Sequence, residues 1–300
     1  MPAAEDGRNP EGVHQLRVSL RRLRSVLDLM RSAGSSSKLD ALRSEARWLA
    51  QTLSAARDWD IFQTETLPAV AGGCPTIAGF DSLAETAEKQ RSDAYRKVRL
   101  ALAERRCTSF VIGLGGLIEA RGWRSDVAPE NLGQLSEPAV NFAHRMLSER
   151  HAKALKRGRH FKSLSAEKRH RLRLALKKLR YVADFLLPLY GDRKSTKRFS
   201  GRLADLQEEL GASNDMATTA SLLGGLGLAG LGPAGLDPTG LGPAGFGLAR
   251  LGTEPAQSST AVAAIVGWQA HAMASAEARL RNAWCDFAKV EPPWSREAEA

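Results

Sequence analysis

The chain has little of several things, and each shortage excludes something. Only three cysteines occur in 300 residues, at positions 74, 107 and 285. An odd number so widely spaced cannot form a disulfide framework and does not match a zinc-site spacing, so a reducing cytoplasm fits best. The N-terminal MPAAEDGRNPEG has no basic segment followed by an apolar core, and no signal peptide is expected. The longest uncharged run that raises the question of a membrane span, Met216 to Leu236, carries six glycines and a proline. Such a run makes a poor helix and no membrane association is expected. Aromatic residues are only 6% of the chain. No Walker A loop, His-Asp doublet, nucleophile elbow or Glu-x-Glu-x-Lys motif is present, so no catalytic residues are assigned.

What the chain does have is positive charge, concentrated in one place. The formal net charge is +10. Residues 145 to 180 alone hold 14 lysines and arginines against two glutamates, so the rest of the chain is slightly acidic. A basic excess this localised is the footprint of a polyanion partner rather than a general solubility device.

The second positive feature is an internal duplication. Residues 9–30, NPEGVHQLRVSLRRLRSVLDLM, align with residues 165–186, SAEKRHRLRLALKKLRYVADFL, at a shift of 156 positions. Each copy reads as an amphipathic helix. Leu16, Leu20, Leu23 and Leu27 form one apolar stripe, and Leu172, Leu176, Leu179 and Ala183 repeat it. On another face lie His14, Arg17, Arg21 and Arg24, matched by His170, Arg173, Lys177 and Arg180. Asn9 and Ser165 are the expected N-caps, with Glu11 and Glu167 in the first turn, where the helix dipole favours an anion. One basic face alone is ordinarily a solvated surface. Two copies with the same row of histidine and cations point to a shared ligand.

The helices VHQLRVSLRRLR and RHRLRLALKKLRY resemble the two signature helices of the CHAD family, the conserved histidine α-helical domain. The likeness continues in LSERHAKALKRGRHFKSLS, in LADLQEELGASND and in its first-half counterpart LAQTLSAARDWDIF. The resemblance implies an all-α fold, with two pseudo-symmetric antiparallel bundles of four-helix type flanking a basic groove or pore. It also implies a single domain over residues 9–290, with halves 9–120 and 136–290, while the Gly/Pro-rich composition of 224–256 reads as a flexible insertion. The implied ligand is inorganic polyphosphate, with phosphate or sulfate as surrogates.

Comparing the halves exposes an omission. A helix expected over about Pro138 to His160 has no first-half equivalent, because that would begin before residue 1. Either the chain starts further upstream, or the Leu stripe is covered by another element or by another subunit, which is compatible with a homodimer. Lys153, Lys156 and Arg157 on that helix are further anion-binding candidates.

Other expectations are local. A second helix should run from about Lys38 to Ala56, followed by a short helix capped by Asp58, with Asn214-Asp215 in the matching place of the second half. A long helix from about Asp81 to Glu119 should bend around Thr108 to Gly116. The last helix, about Ser258 to Ala288, should bury Trp268, Leu280, Trp284 and Phe287, with His271 a structural histidine.

The row from His14 to Arg24 spans ten residues, about 15 Å of helix rise. Cations spread that far cannot converge on one phosphate, and they suit an extended anion. Arginine offers paired donors to phosphoryl oxygens and lysine a mobile point charge. A bound polyanion favours the charged imidazole, so binding should tighten as pH falls from about 8 to 6. Glu11-x-x-His14 and Glu167-x-x-His170 also match a di-iron spacing. A metal there would sit beside Arg17, Arg21, Arg173 and Lys177, where like charges repel, so neither metal nor cofactor is expected. A nucleic-acid or acidic-protein partner is the competing reading. Against the former, Tyr181 is the only aromatic residue in the rows that bases could stack on.

Overall fold

The computed structural model describes residues 2–34, 36–122, 133, 136–191, 193–226 and 256–295. Among the described residues the regular structure is entirely helical. After the four-residue α1 (Pro2–Glu5), α2 (Glu11–Ala33) is the first basic helix. The Glu11 N–H donates to Asn9 Oδ1 at 2.9 Å, so Asn9 satisfies one of the unpaired amides of the first turn. Val13, Leu20 and Leu27 are buried, and Leu16 and Leu23 pack partly buried against the same core. This chain itself therefore covers the Leu stripe, which needs no second subunit. Much of the cover is α3 (Ser37–Thr52), through Leu39, Leu42, Ala46 and Leu49.

The corner after α3 differs from expectation. α4 (Ser54–Ile61) begins five residues earlier than a helix capped by Asp58 would, and Asp58 lies in its interior. Leu53 makes the corner with φ −76° and ψ −10° and is fully buried, so apolar anchoring rather than a polar cap turns the chain. A π-helical turn, Phe62–Thr66, then leads into α5 (Leu67–Gly73).

The expected long helix is two: α6 (Phe80–Ala103) and α7 (Arg105–Glu119). The break falls at Glu104, whose ψ of 143° is extended, and not within Thr108 to Gly116. Glycine weakens a helix without breaking it, so the glycines of α7 remain helical.

The second half opens with the 19-residue α8 (Ala139–Arg157), whereas only α1 precedes α2. α9 (Ala166–Leu186) is the second basic helix, and Ser165 Oγ accepts from the Lys168 N–H as expected. It buries Leu172, Leu176, Leu179 and Ala183. α10 (Lys194–Glu209) and α11 (Ala212–Gly225) follow, and α12 (Ala256–Ala288) closes the fold. The side chains of Asn214 and Asp215, and residues 227–255 of the Gly/Pro-rich stretch, lie outside the described residues.

Two apolar cores result. The first collects α2 to α7 and also takes Leu223 from α11 and Ala261, Val262 and Ile265 from the front of α12. The second collects α8 to α10 with Leu280 and Phe287 from the rear of α12. α12 thus runs across both. Trp284 stacks on Phe161 at 5.3 Å over Gly158, where a Cβ would lie 1.9 Å from the indole. Trp268, expected in the core, is 43% exposed and lies over Gly73 instead. His271 is exposed on α12.

Candidate functional site: a basic cleft beside the first signature helix

The helical period turns the first basic row toward one cleft of about 390 Å³. His14, Arg17, Arg21 and Arg24 all line it from α2. Opposite them stand Gln51 and Ser54, then Arg57 and Asp58 from α4, and Thr66 from the π-helical turn. Thr218 and Thr219 of α11 complete the wall. The lining thus sets four guanidinium groups and an imidazole against one carboxylate, with hydroxyls between.

Arg17 is held in place. Its guanidinium donates to the Ala50 carbonyl oxygen at 3.0 Å and to Ser54 Oγ at 2.7 Å. Burial chiefly, and the nearby Arg21 and Arg57, lower its pKa, while Asp58 opposes them. Arg24 is lowered in the same way, first by burial and then by Arg43, with Arg47 adding to it; Asp28 opposes them. Its Nε is buried without a hydrogen-bond partner. These shifts report a crowded positive field whose cost an incoming anion would relieve.

Arg43 and Arg47 of α3, with Arg57 of α4, are cations that sequence reasoning missed. Nothing in the spacing of these residues marked them as acting on the arginines of α2, as Arg57 does on Arg17 and Arg43 and Arg47 do on Arg24. Arg43 is ion-paired to Asp28, and Arg57 lies 3.7 Å from Glu65. The support beneath α4 is the buried carboxylate of Asp60. It accepts from Tyr95 Oη at 2.8 Å and Arg91 Nε at 2.8 Å, and Arg91 also donates to the Gly7 carbonyl. Burial first, then this hydrogen bond, raises the Tyr95 pKa well above its usual value.

The second basic row is placed differently, and none of its four residues lines the cleft. His170 and Arg180 are exposed, and Arg173 and Lys177 half-buried. Arg180 donates to Gln207 Oε1 at 3.3 Å. The two rows approach each other at Tyr181, whose ring has the Arg21 guanidinium 5.9 Å from its centroid. Arg180 and Arg173 also act electrostatically on that phenol, and Asp184 feels Arg180, Arg22 and Arg21. Burial nevertheless keeps the Asp184 pKa above the usual carboxylate value. Of the further candidates, Lys153 and Lys156 are exposed, while Arg157 donates to the Arg171 carbonyl at 2.8 Å and so braces α9.

Comparison with known proteins adds three findings. Residues 2–224 match the CHAD domain. The fold is similar to the crystal structure of the CHAD domain from the plant Ricinus communis, with TM-score 0.69, 28% identity, and coverage of 96% of this chain and 85% of that one. It is also similar to PptA from Streptomyces chartreusis, with TM-score 0.62 and coverage of 92% and 90%; at 15% identity that likeness concerns the fold alone. No curated protein matches.

Proposed function

The chain belongs to the CHAD domain family, and from that premise we propose that it is a non-catalytic binding protein for inorganic polyphosphate, acting in the cytoplasm at polyphosphate granules or in phosphate metabolism. On this reading residues 9–290 form one domain with halves 9–120 and 136–290. The observation that carries it is the gathering of His14, Arg17, Arg21 and Arg24 with Arg57 in a single cleft. Four guanidinium groups in one field, those of Arg17 and Arg24 partly desolvated, need a dense, extended anion, and a string of phosphates supplies one charge after another. His170, Arg173, Lys177 and Arg180 continue the track beyond Tyr181, and exposed Lys153 and Lys156 extend it outward.

Tyr181 speaks against the nucleic-acid reading, because Arg21 lies over the ring that a base would need. No helix of the described residues is long and apolar enough to cross a membrane. Equilibrium titration of the full chain with labelled long-chain polyphosphate tests the proposal. Tight binding that weakens steeply with salt, as counterion release requires, is expected. Displacement of polyphosphate by duplex DNA or RNA at equal phosphate concentration and ionic strength would overturn it.

A further inference from the structure

We propose that α7 is the interface of a homodimer, paired antiparallel with its own copy across a two-fold axis at Ile112. Its inner face is fixed by Cys107, Phe110 and Leu117, all buried in the first core. Its outer face is apolar as well: Val111, Ile112 and Ile118 are 46%, 69% and 60% exposed. The equivalent stretch of α12, which packs on α10 as α7 packs on α3, turns Arg281, Asn282, Cys285 and Asp286 outward. An apolar outer face is therefore peculiar to α7 and is not a property of this position in a bundle.

The charges select a second copy as the occupant. Arg105 and Glu119 are both exposed, and neither has an ion-pair partner among the described residues. Each lies seven residues from Ile112, about 10 Å of rise on either side. An antiparallel pair about Ile112 sets Arg105 of one copy against Glu119 of the other, twice. That is the self-complementarity a two-fold interface requires. On the same face a Cβ added at Gly115 or Gly116 would meet nothing within 4 Å. Packing within the chain does not require glycine there, while close approach of a second helix does.

Sedimentation of the full chain tests this at about 100 µM, well above a micromolar dissociation constant. The expected mass is twice 32.4 kDa. Ile112→Asp should weaken association more than about tenfold by placing like charges together on the axis. At a dilution where both chains are monomeric, its unfolding transition should not move, since the side chain is exposed. Arg105→Glu should also weaken the dimer, and Arg105→Glu with Glu119→Arg should restore it. Gly115→Ala should raise the monomer's melting temperature while weakening association, a pair of changes that a purely structural role cannot produce. A chain that stays monomeric throughout, a dimer indifferent to Ile112→Asp, or a charge swap that restores nothing would overturn the proposal.

Discussion

The two basic helices carry nearly the same residues and end in different surroundings. α2 turns its row into a cleft, against Ser54, Arg57 and Asp58 and beneath the threonines of α11. α9 presents its row near α10, where Gln207, Glu208 and Glu209 follow one another. What a repeated helix does is thus set by the helix packed beside it. In the first half α3 and α4 add Arg43, Arg47 and Arg57 to the field. In the second half, Gln207 binds Arg180 and the Leu176 carbonyl instead, at 3.3 and 2.8 Å.

The halves also differ in how each buries an ionisable group, and the largest expected effect lies there. Asp60 is completely buried, and its carboxylate is partnered by Arg91 and Tyr95. Asp60→Ala would leave a guanidinium and a phenol without their acceptor, and should destabilise the fold by about 3–5 kcal/mol in urea unfolding. The second half's Arg169–Glu277 pair, at 2.6 and 2.9 Å, is partly exposed. Glu277→Gln should cost only about 1 kcal/mol in the same assay. Equal losses would mean that the two halves are braced alike.

Next in size is the contrast between the rows. Arg21 and Arg180 are both exposed, so either can be replaced without disturbing a core. Arg21→Ala should weaken polyphosphate binding by about 1.5–3 kcal/mol, the range for a charge-assisted hydrogen bond, and make its salt dependence shallower. Arg180→Ala should cost less than about 1 kcal/mol, as befits a charge outside the cleft. Calorimetric titration of both variants at one ionic strength decides this. If Arg180→Ala costs as much as Arg21→Ala, the cleft has no priority and the rows act as equals.

Much of this was legible in the sequence because a single helix carries it. Periodicity alone placed His14, Arg17, Arg21 and Arg24 on one face, and the buried leucines of α2 and α9 follow the stripes read from their spacing. What the sequence hid depends on neighbours. Asp58 read as the cap of a short helix because a polar residue after a leucine-rich helix suits that place, yet the corner is made by the buried Leu53. Trp268 read as core by composition, but helix rotation places it over Gly73 with 43% of its surface exposed. The break at Glu104 carries no glycine or proline to announce it.

The last contrast concerns His151, a buried histidine of the second half. It sits among Phe199, Phe287 and Trp294 at centroid distances of 5.7, 5.7 and 5.8 Å, and its Nε2 is buried without a partner. Burial lowers its pKa below the ordinary 6.5. Below pH 6.5 the unfolded chain takes up a proton that the folded chain refuses, so stability is full above that value and is lost as pH falls toward the folded pKa. The loss from this one group approaches about 1.4 kcal/mol per pH unit. His151→Phe, which keeps an aromatic ring in an aromatic box, should flatten that part of the profile between about pH 6.5 and 5. Denaturant unfolding of both chains across that range checks this, and parallel profiles would show that His151 exchanges its proton with solvent in the folded state.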